Sequence, residues 1–279
     1  DSNVLCVSFS PEEKFLATAI AAEVAVWDIG SREKVLSIPS EPGYRMMCCG
    51  FSPSGNRLAI GRASTEGDSD AGVDCARVVD SMTGEPVYTV KGHPGACNMV
   101  QFSPDERWLL TGSYGAPAVA GSISLRIWDA GTGSELVGAI ERLNWPWHAS
   151  FSPDNSKMLV LGLSLEPVLW DFETRQEVYR IKSGGARQVI FHPDGERFAV
   201  VRLPGLAMHA VEDGRELCAY PYGRIPGAFT PGGMSFFCGL DAQSMLLIHA
   251  EDWKETDRES QFRKGLAEVQ ELLGLRAGP

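Results

Sequence analysis

One short phrase returns six times in this chain of 279 residues. It reads Phe9-Ser10-Pro11, Phe51-Ser52-Pro53, Phe102-Ser103-Pro104, Phe151-Ser152-Pro153, Phe191-His192-Pro193 and Phe229-Thr230-Pro231, at spacings of 42, 51, 49, 40 and 38 residues. Each copy leads into a polar turn, such as Pro104-Asp105-Glu106 or Pro193-Asp194-Gly195, and then into an apolar run such as FLATAI or WLLTGS. A second landmark follows: VAVWD at Trp27-Asp28, ARVVD at Val79-Asp80, LRIWD at Trp128-Asp129 and PVLWD at Trp170-Asp171. It degenerates to His209-Ala210 and His249-Ala250 in the last two copies. A turn and another run, EKVLSI or EPVYTV, complete the unit. Short β-branched and apolar runs between Gly, Pro and Asp are strands by propensity and punctuation.

Serial four-stranded units of about 40 residues predict an all-β fold, a β-propeller whose blades bury their faces on one another. The Phe-Ser-Pro-Asp turn and the Trp-Asp end of the third strand resemble the WD-repeat β-propeller family over residues 4 to about 250. The resemblance implies structural roles for Trp27, Asp28, His93, Trp128, Asp129, Trp170 and Asp171. In that family a His, a Ser or Thr, the Trp and an Asp of the second-to-third-strand loop form a hydrogen-bonded tetrad. The Gly-His pair occurs once here, at Gly92-His93. Thr111 or Ser113 and Trp128 match two more members, while YGAPAVAGS holds no Asp. The network is therefore expected to be incomplete, and His93 to be a structural remnant rather than a catalyst.

The first repeat opens on its innermost strand, VLCVSF, and the sixth closes after its third strand, SMLLIHA. An open sheet edge invites aggregation, so a segment before Asp1 is expected to supply the outer strand, with room for a seventh blade. Residues 1–251 are read as the propeller and 252–279 as a C-terminal helical extension. In the extension Phe262, Leu266, Val269, Leu272 and Leu273 follow one helical face. That face packs on the propeller itself or on a partner.

A net charge of -11 argues against nucleic acid, whose phosphates demand clustered cations. No run approaches a membrane span. The seven cysteines show no C-x-x-C spacing and sit mostly in apolar runs. They read as buried thiols of a reducing compartment, which with the lack of N-x-S/T sequons makes a cytoplasmic chain the expectation. No G-x-S-x-G, P-loop, H-E-x-x-H or complete G-x-G-x-x-G is present. The innermost strands VLCVSF, MMCCGF, CNMVQF, WHASF, RQVIF and PGAF carry no acidic residue, and His148 is the one histidine among them. No enzyme, cofactor or metal site is expected.

What remains is surface. RASTEGDSDAGVD (62–74) is read as an acidic insertion loop and YGAPAVAGS (114–122) as a small apolar one. With ERLNWPWHA (141–149), an inter-blade loop, they belong to one face. Trp145 and Trp147, with Tyr114 nearby, would form an aromatic patch of the kind that anchors protein interfaces, each indole contributing about 2 kcal/mol or more. The alternative packs Trp147 between blades and leaves Trp145 shielding a loop. Arg45, Arg187 and Arg224 fall where innermost strands begin; arginines there suit acidic or phosphorylated peptides, or pair with neighbouring acidic loops. The resulting expectation is a non-catalytic protein- or peptide-binding propeller, the recognition, scaffold or regulatory module of a larger protein or complex. A structural module joined through Leu266 and Val269 to a multidomain sensor or enzyme is the alternative, and a propeller hydrolase a remote one.

Overall fold

In the computed structural model the serine of the repeated phrase braces a hairpin turn. Ser10, Ser52, Ser103 and Ser152 each accept, on Oγ, the backbone N–H of the residue five positions on, at 2.9, 3.2, 2.9 and 2.8 Å. One residue of each turn adopts a positive φ: Glu13, Gly55, Glu106, Asn155 and Gly195. The aspartate of the second landmark braces the next turn. Oδ1 of Asp28, Asp80, Asp129 and Asp171 accepts the amide three residues on, each at 2.8 Å. In each of the first four repeats two polar side chains thus satisfy turn amides that the strand ladders leave open.

The structure describes residues 3–65, 74–93, 95–114, 125–136, 146, 148–162, 164–203, 205–220, 224–229, 235–239 and 245–249. The chain divides into two units, residues 1–147 and 148–279. In the first unit β1 (Cys6–Phe9), β2 (Phe15–Ile20), β3 (Glu23–Asp28) and β4 (Lys34–Pro39) form one antiparallel sheet in sequence order. The second sheet is β5 (Tyr44–Phe51), β6 (Arg57–Ser64), β7 (Asp74–Asp80) and β8 (Pro86–Lys91). The third is β9 (Ala96–Phe102), β10 (Trp108–Tyr114) and β11 (Leu125–Asp129), with a bridge from Trp128 to Glu135 continuing it.

The second unit repeats the plan. Its first sheet holds β12 (His148–Phe151), β13 (Lys157–Leu161), β14 (Val168–Asp171) and β15 (Gln176–Arg180). Next come β16 (Ala186–Phe191), β17 (Arg197–Arg202), β18 (Leu206–Ala210) and β19 (Glu216–Tyr220). The last sheet contains β20 (Arg224–Phe229), β21 (Ser235–Gly239) and β22 (Met245–His249). These serial antiparallel four-stranded sheets fit a WD propeller. Residues 252–279, read as a helix, lie outside the described residues.

Sheets stack within each unit. Ala17, Ala19, Val24 and Val26 of the first sheet share a core with Met46, Cys49, Leu58 and Ile60 of the second. The other face of the second sheet, through Ala59, Ala76 and Val78, meets Cys97, Phe102, Leu109 and Trp128 of the third. In the second unit Ala199, Val201 and Met208 pack on Phe236 and Ile248. Second strands are therefore buried on both faces, as β6, β13 and β17 show, and read as unbroken apolar runs. Outer strands such as β4 and β15 are mostly exposed.

Polar stitches cross these stacks. Ser8 and Ser150 accept the amides of Phe51 and Phe191, the next repeat's anchor aromatics, at 3.1 and 3.0 Å. Tyr88 on β8 donates to the carbonyl of Ala130 at 2.9 Å, and Tyr179 on β15 to that of Val211 at 2.7 Å. Each tyrosine ring lies over a left-handed glycine of the neighbouring repeat, Gly133 (φ 73°) and Gly214 (φ 72°).

A Cβ at Gly133 would meet the Tyr88 ring at 2.6 Å, whereas one at Gly184 (φ 64°) would meet nothing within 4 Å. Urea unfolding should show Gly184→Ala losing about 1–2 kcal/mol, the cost of a left-handed non-glycine residue, and Gly133→Ala losing distinctly more. Equal losses would mean that the tyrosine–glycine contact adds nothing.

Candidate interaction site

The landmark tryptophans point into the sheets. Trp128 Nε1 donates to Thr111 Oγ1 at 2.7 Å, and the same oxygen lies 2.6 Å from His93 Nε2. Thr111, and not Ser113, is therefore the hydroxyl of the network. His93 Nδ1 is buried and has no partner among the described residues; most of the loop carrying YGAPAVAGS lies outside them. Burial, reinforced by the nearby Arg126 guanidinium, holds His93 down at about 3, so it is neutral at physiological pH. Trp27 Nε1 makes the matching bond to Thr18 Oγ1 at 3.0 Å. In the β13–β14 pair the equivalent position is Val160, so Trp170 has no hydroxyl there to meet. His148, on the innermost strand β12, is held at about 4 by burial alone.

The candidate partner-binding residues divide by position. Arg45 is the second residue of β5 and Arg187 the second of β16, and both side chains are exposed. Neither joins an ion pair among the described residues. Arg224 opens β20, and Tyr114 ends β10 instead of opening a loop. Trp145, Trp147, Leu266 and Val269 lie outside the described residues. Pro146, between the two tryptophans, is buried, and a Cβ on Gly112 would meet it at 3.2 Å.

Four of the six innermost strands, β5, β9, β16 and β20, have a register shift near their starts: between Met46 and Cys48, around Asn98, between Ala186 and Gln188, and between Arg224 and Gly227. A bulge twists the strand and re-aims the extra side chain. In β16 the extra residue is Arg187, and the bulge accounts for a charged residue standing exposed on an otherwise buried strand.

The acidic insertion is shorter than its composition suggested. Arg62, Ala63 and Ser64 belong to β6, and Asp74 opens β7. Arg62 is 2% exposed, paired to Glu41 at 2.9 Å and to Asp74 at 3.3 Å, with its guanidinium 4.6 Å above the Tyr44 ring. Glu41 also takes Arg77, and Asp74 takes Lys91 at 3.1 Å. The hydrogen bond from Arg77, with both guanidinium charges, lowers the Glu41 carboxyl below its ordinary value. Sequence reasoning missed this cluster because a buried arginine is rare and its carboxylates lie 21 residues before and 12 residues after it. The alternation of RLAIGRA was the available signal that the strand continued. The cluster lies at the strand ends that also carry Arg45, opposite Ala63 in the register.

Two outcomes follow. Glu41→Gln leaves the buried Arg62 with Asp74 alone and should cost about 1–3 kcal/mol in urea unfolding, whereas Asp213→Asn, in the exposed pair with Arg215, should stay within about 0.5 kcal/mol. The second outcome concerns acid. Between the ordinary histidine value of 6.5 and about 3, the unfolded chain takes a proton that folded His93 refuses. Its contribution is thus complete above pH 6.5 and lost as pH falls toward 3. His93→Gln should lose less stability than wild type between pH 7 and 5; an equal loss would assign the acid sensitivity to other groups.

Comparison with known proteins finds a WD repeat and similarity to WD-repeat proteins. The model of the WD domain, G-beta repeat, matches residues 84–129, the segment from Gly84 through Trp128-Asp129 that holds His93, Thr111 and Trp128. An uncharacterized WD repeat-containing protein of Synechocystis is 28% identical over 157 residues, 56% of this chain and 40% of that protein. A serine-threonine kinase receptor-associated protein of Dictyostelium discoideum is 30% identical over 131 residues, 46% of this chain and 37% of that protein. A guanine nucleotide-binding protein subunit beta of Nicotiana tabacum is 27% identical over 257 residues, 85% of this chain and 66% of that protein. The match spans about two fifths of the first two relatives and two thirds of the third. The repeated turns, the Trp–Thr–His bonds and these relatives agree: the chain carries a WD repeat and is similar to WD-repeat proteins.

Proposed function

We propose that this chain is a non-catalytic WD propeller that binds a protein or peptide partner, as a recognition, scaffold or regulatory module of a larger protein or complex. The carrying observation is the placement of exposed arginines, Arg45 and Arg187, at the starts of innermost strands, where among the described residues no carboxylate neutralises them. The Arg62–Glu41–Arg77 cluster beside Arg45, with Arg62 buried, adds fixed charge at the ends of β5 and β6. A guanidinium fork suits a carboxylate or phosphate, so an acidic or phosphorylated segment is the proposed recognition element, and Trp145 and Trp147 are proposed as apolar anchors. Relatives named as G-protein beta subunits and as a receptor-associated protein support a partner that is itself a protein.

The exposed apolar face of β1 is proposed to be covered by another sheet in the closed ring. Phe9 is 61% exposed and Val7 54%, whereas the equivalent Phe102, Phe151 and Phe191 are at most 6% exposed. In the second and third repeats the corresponding face is covered by the preceding sheet. The whole ring, with its blade count, belongs to this proposal.

The test is affinity capture from a native lysate with wild type beside Arg45→Glu/Arg187→Glu, Trp145→Ala and Leu266→Asp, after confirming equal melting temperatures. Loss of one defined partner with the arginine or tryptophan variants, and its retention with Leu266→Asp, is the expected outcome. Loss with Leu266→Asp alone would move the function to the C-terminal segment and overturn this reading.

A further inference from the structure

Five cysteines gather in the first three sheets: Cys6 on β1, Cys48 and Cys49 on β5, Cys75 on β7 and Cys97 on β9, all free thiols. They fall into two groups. Cys48 and Cys75 each hydrogen-bond to Cys97, and all three are buried within the stack of the second and third sheets. Cys6 pairs instead with Cys49 across the first and second sheets. Its Sγ donates to the Cys49 carbonyl oxygen at 3.4 Å, and Cys6 packs on the apolar cluster that contains Cys49. Cys6 is half-buried, while Cys49 is 5% exposed.

We infer that Cys6 and Cys49 form a thiol–disulfide exchange site for low-molecular-weight disulfides, with Cys6 the attacking thiol and Cys49 the resolving one. The strand pattern places them. Along β1 the side chains alternate, Cys6 and Ser8 toward β5 and Val7 and Phe9 into solvent, and Ser8 confirms the direction by accepting the Phe51 amide. The asymmetry in exposure assigns the roles: Cys6 is half-buried and reachable, whereas Cys49 is 5% exposed. The hydrogen bond from Cys49 outweighs burial and draws Cys6 below the ordinary thiol range, and backbone hydrogen bonds of Cys49 and Val7 act in the same direction. That same hydrogen bond, with burial, pushes Cys49 up. A reachable thiolate backed by a buried protonated thiol is the arrangement that exchange chemistry uses.

The chemistry balances without a metal or a further oxidant. The Cys6 thiolate attacks one sulfur of the small disulfide; that S–S bond breaks, one thiolate leaves with the electron pair, and a mixed disulfide remains on Cys6. Cys49 gives its proton to the departing thiolate or to water and attacks Cys6 Sγ, expelling the second thiolate. The two protein thiols lose two electrons and two protons in all, and the small disulfide becomes two thiols. The product is a covalent link between the first and second sheets. This inference is independent of the partner proposed above and uses none of its residues.

The experiment treats the full native chain with glutathione disulfide and maps the cysteines by mass spectrometry. Wild type should yield a peptide pair cross-linked through Cys6 and Cys49, with Cys48, Cys75 and Cys97 still reduced. Cys49→Ser should stop at glutathionylated Cys6, and Cys6→Ser should give neither the adduct nor the cross-link. A Cys6 that stays reduced in wild type, or an adduct on Cys49 in Cys6→Ser, overturns the assignment. If a variant fails to fold, wild-type alkylation by iodoacetamide at pH 7 decides. Cys6 should react about tenfold faster than Cys218, which is likewise half-buried but whose thiol burial pushes up; equal rates overturn the proposal.

Discussion

The structure rests on one constraint: a four-stranded sheet with two apolar faces is stable only when both are covered by other sheets. Leu58 and Ile60 face back to the first sheet while Ala59 between them faces forward to the third, so a single strand joins two cores. Burial on this scale, at roughly 25 cal/mol per Å² of apolar surface, is the main favourable contribution. It also explains why no repeat stands alone and why the units recur in tandem. Small residues are part of the same constraint. Ala17, Ala19, Ala59 and Ala76 are fully buried where sheets approach closely. At Gly61 a Cβ would meet the Cys48 sulfur and the Cys97 carbonyl within 2.5 Å.

Stacking of this kind restricts where polar groups can go, and the chain answers in two ways. Turn amides are met locally, by the serine of the repeated phrase and the aspartate of the second landmark, so these residues matter even where the tryptophan beside the aspartate is replaced, as at Val79-Asp80. Between sheets, Tyr88 and Tyr179 place an aromatic ring on the next repeat and end in a hydrogen bond to its backbone. The Trp–Thr–His bonds belong to the third sheet, and partly to the first. Where Val160 or Val200 occupies the threonine position, the backbone ladder and packing serve without that side-chain bond, with Phe198 stacked on His209 at 5.3 Å in the fifth.

Much of the fold was legible because it is written in local, repeated chemistry. FLATAI, VAVWD and SMLLIHA each mark a strand that the structure forms, and the serine and aspartate positions mark the turns between them. The site was less legible. Arg45 and Arg187 could be placed near strand starts by counting, but the bulge that turns Arg187 outward is a matter of register. Arg62 was assigned to a loop because charge reads as exposure; only its carboxylates, brought in from the β4–β5 linker and from Asp74, make its burial stable.

The cysteines show where the two levels part. Composition showed seven thiols without zinc spacing and mostly in apolar runs, and the five on β1, β5, β7 and β9 are indeed free, four of them buried. That Cys6 meets Cys49 while Cys48 meets Cys97 follows from which face of each innermost strand turns toward the next sheet, a relation between residues tens of positions apart. By itself the sequence determined the repeat, its strands and its turns, because backbone propensity and side-chain-to-backbone hydrogen bonds act over a few residues. The tertiary structure alone decided which polar and reactive side chains come together, because burial, register and charge pairing depend on neighbours that only sheet stacking supplies.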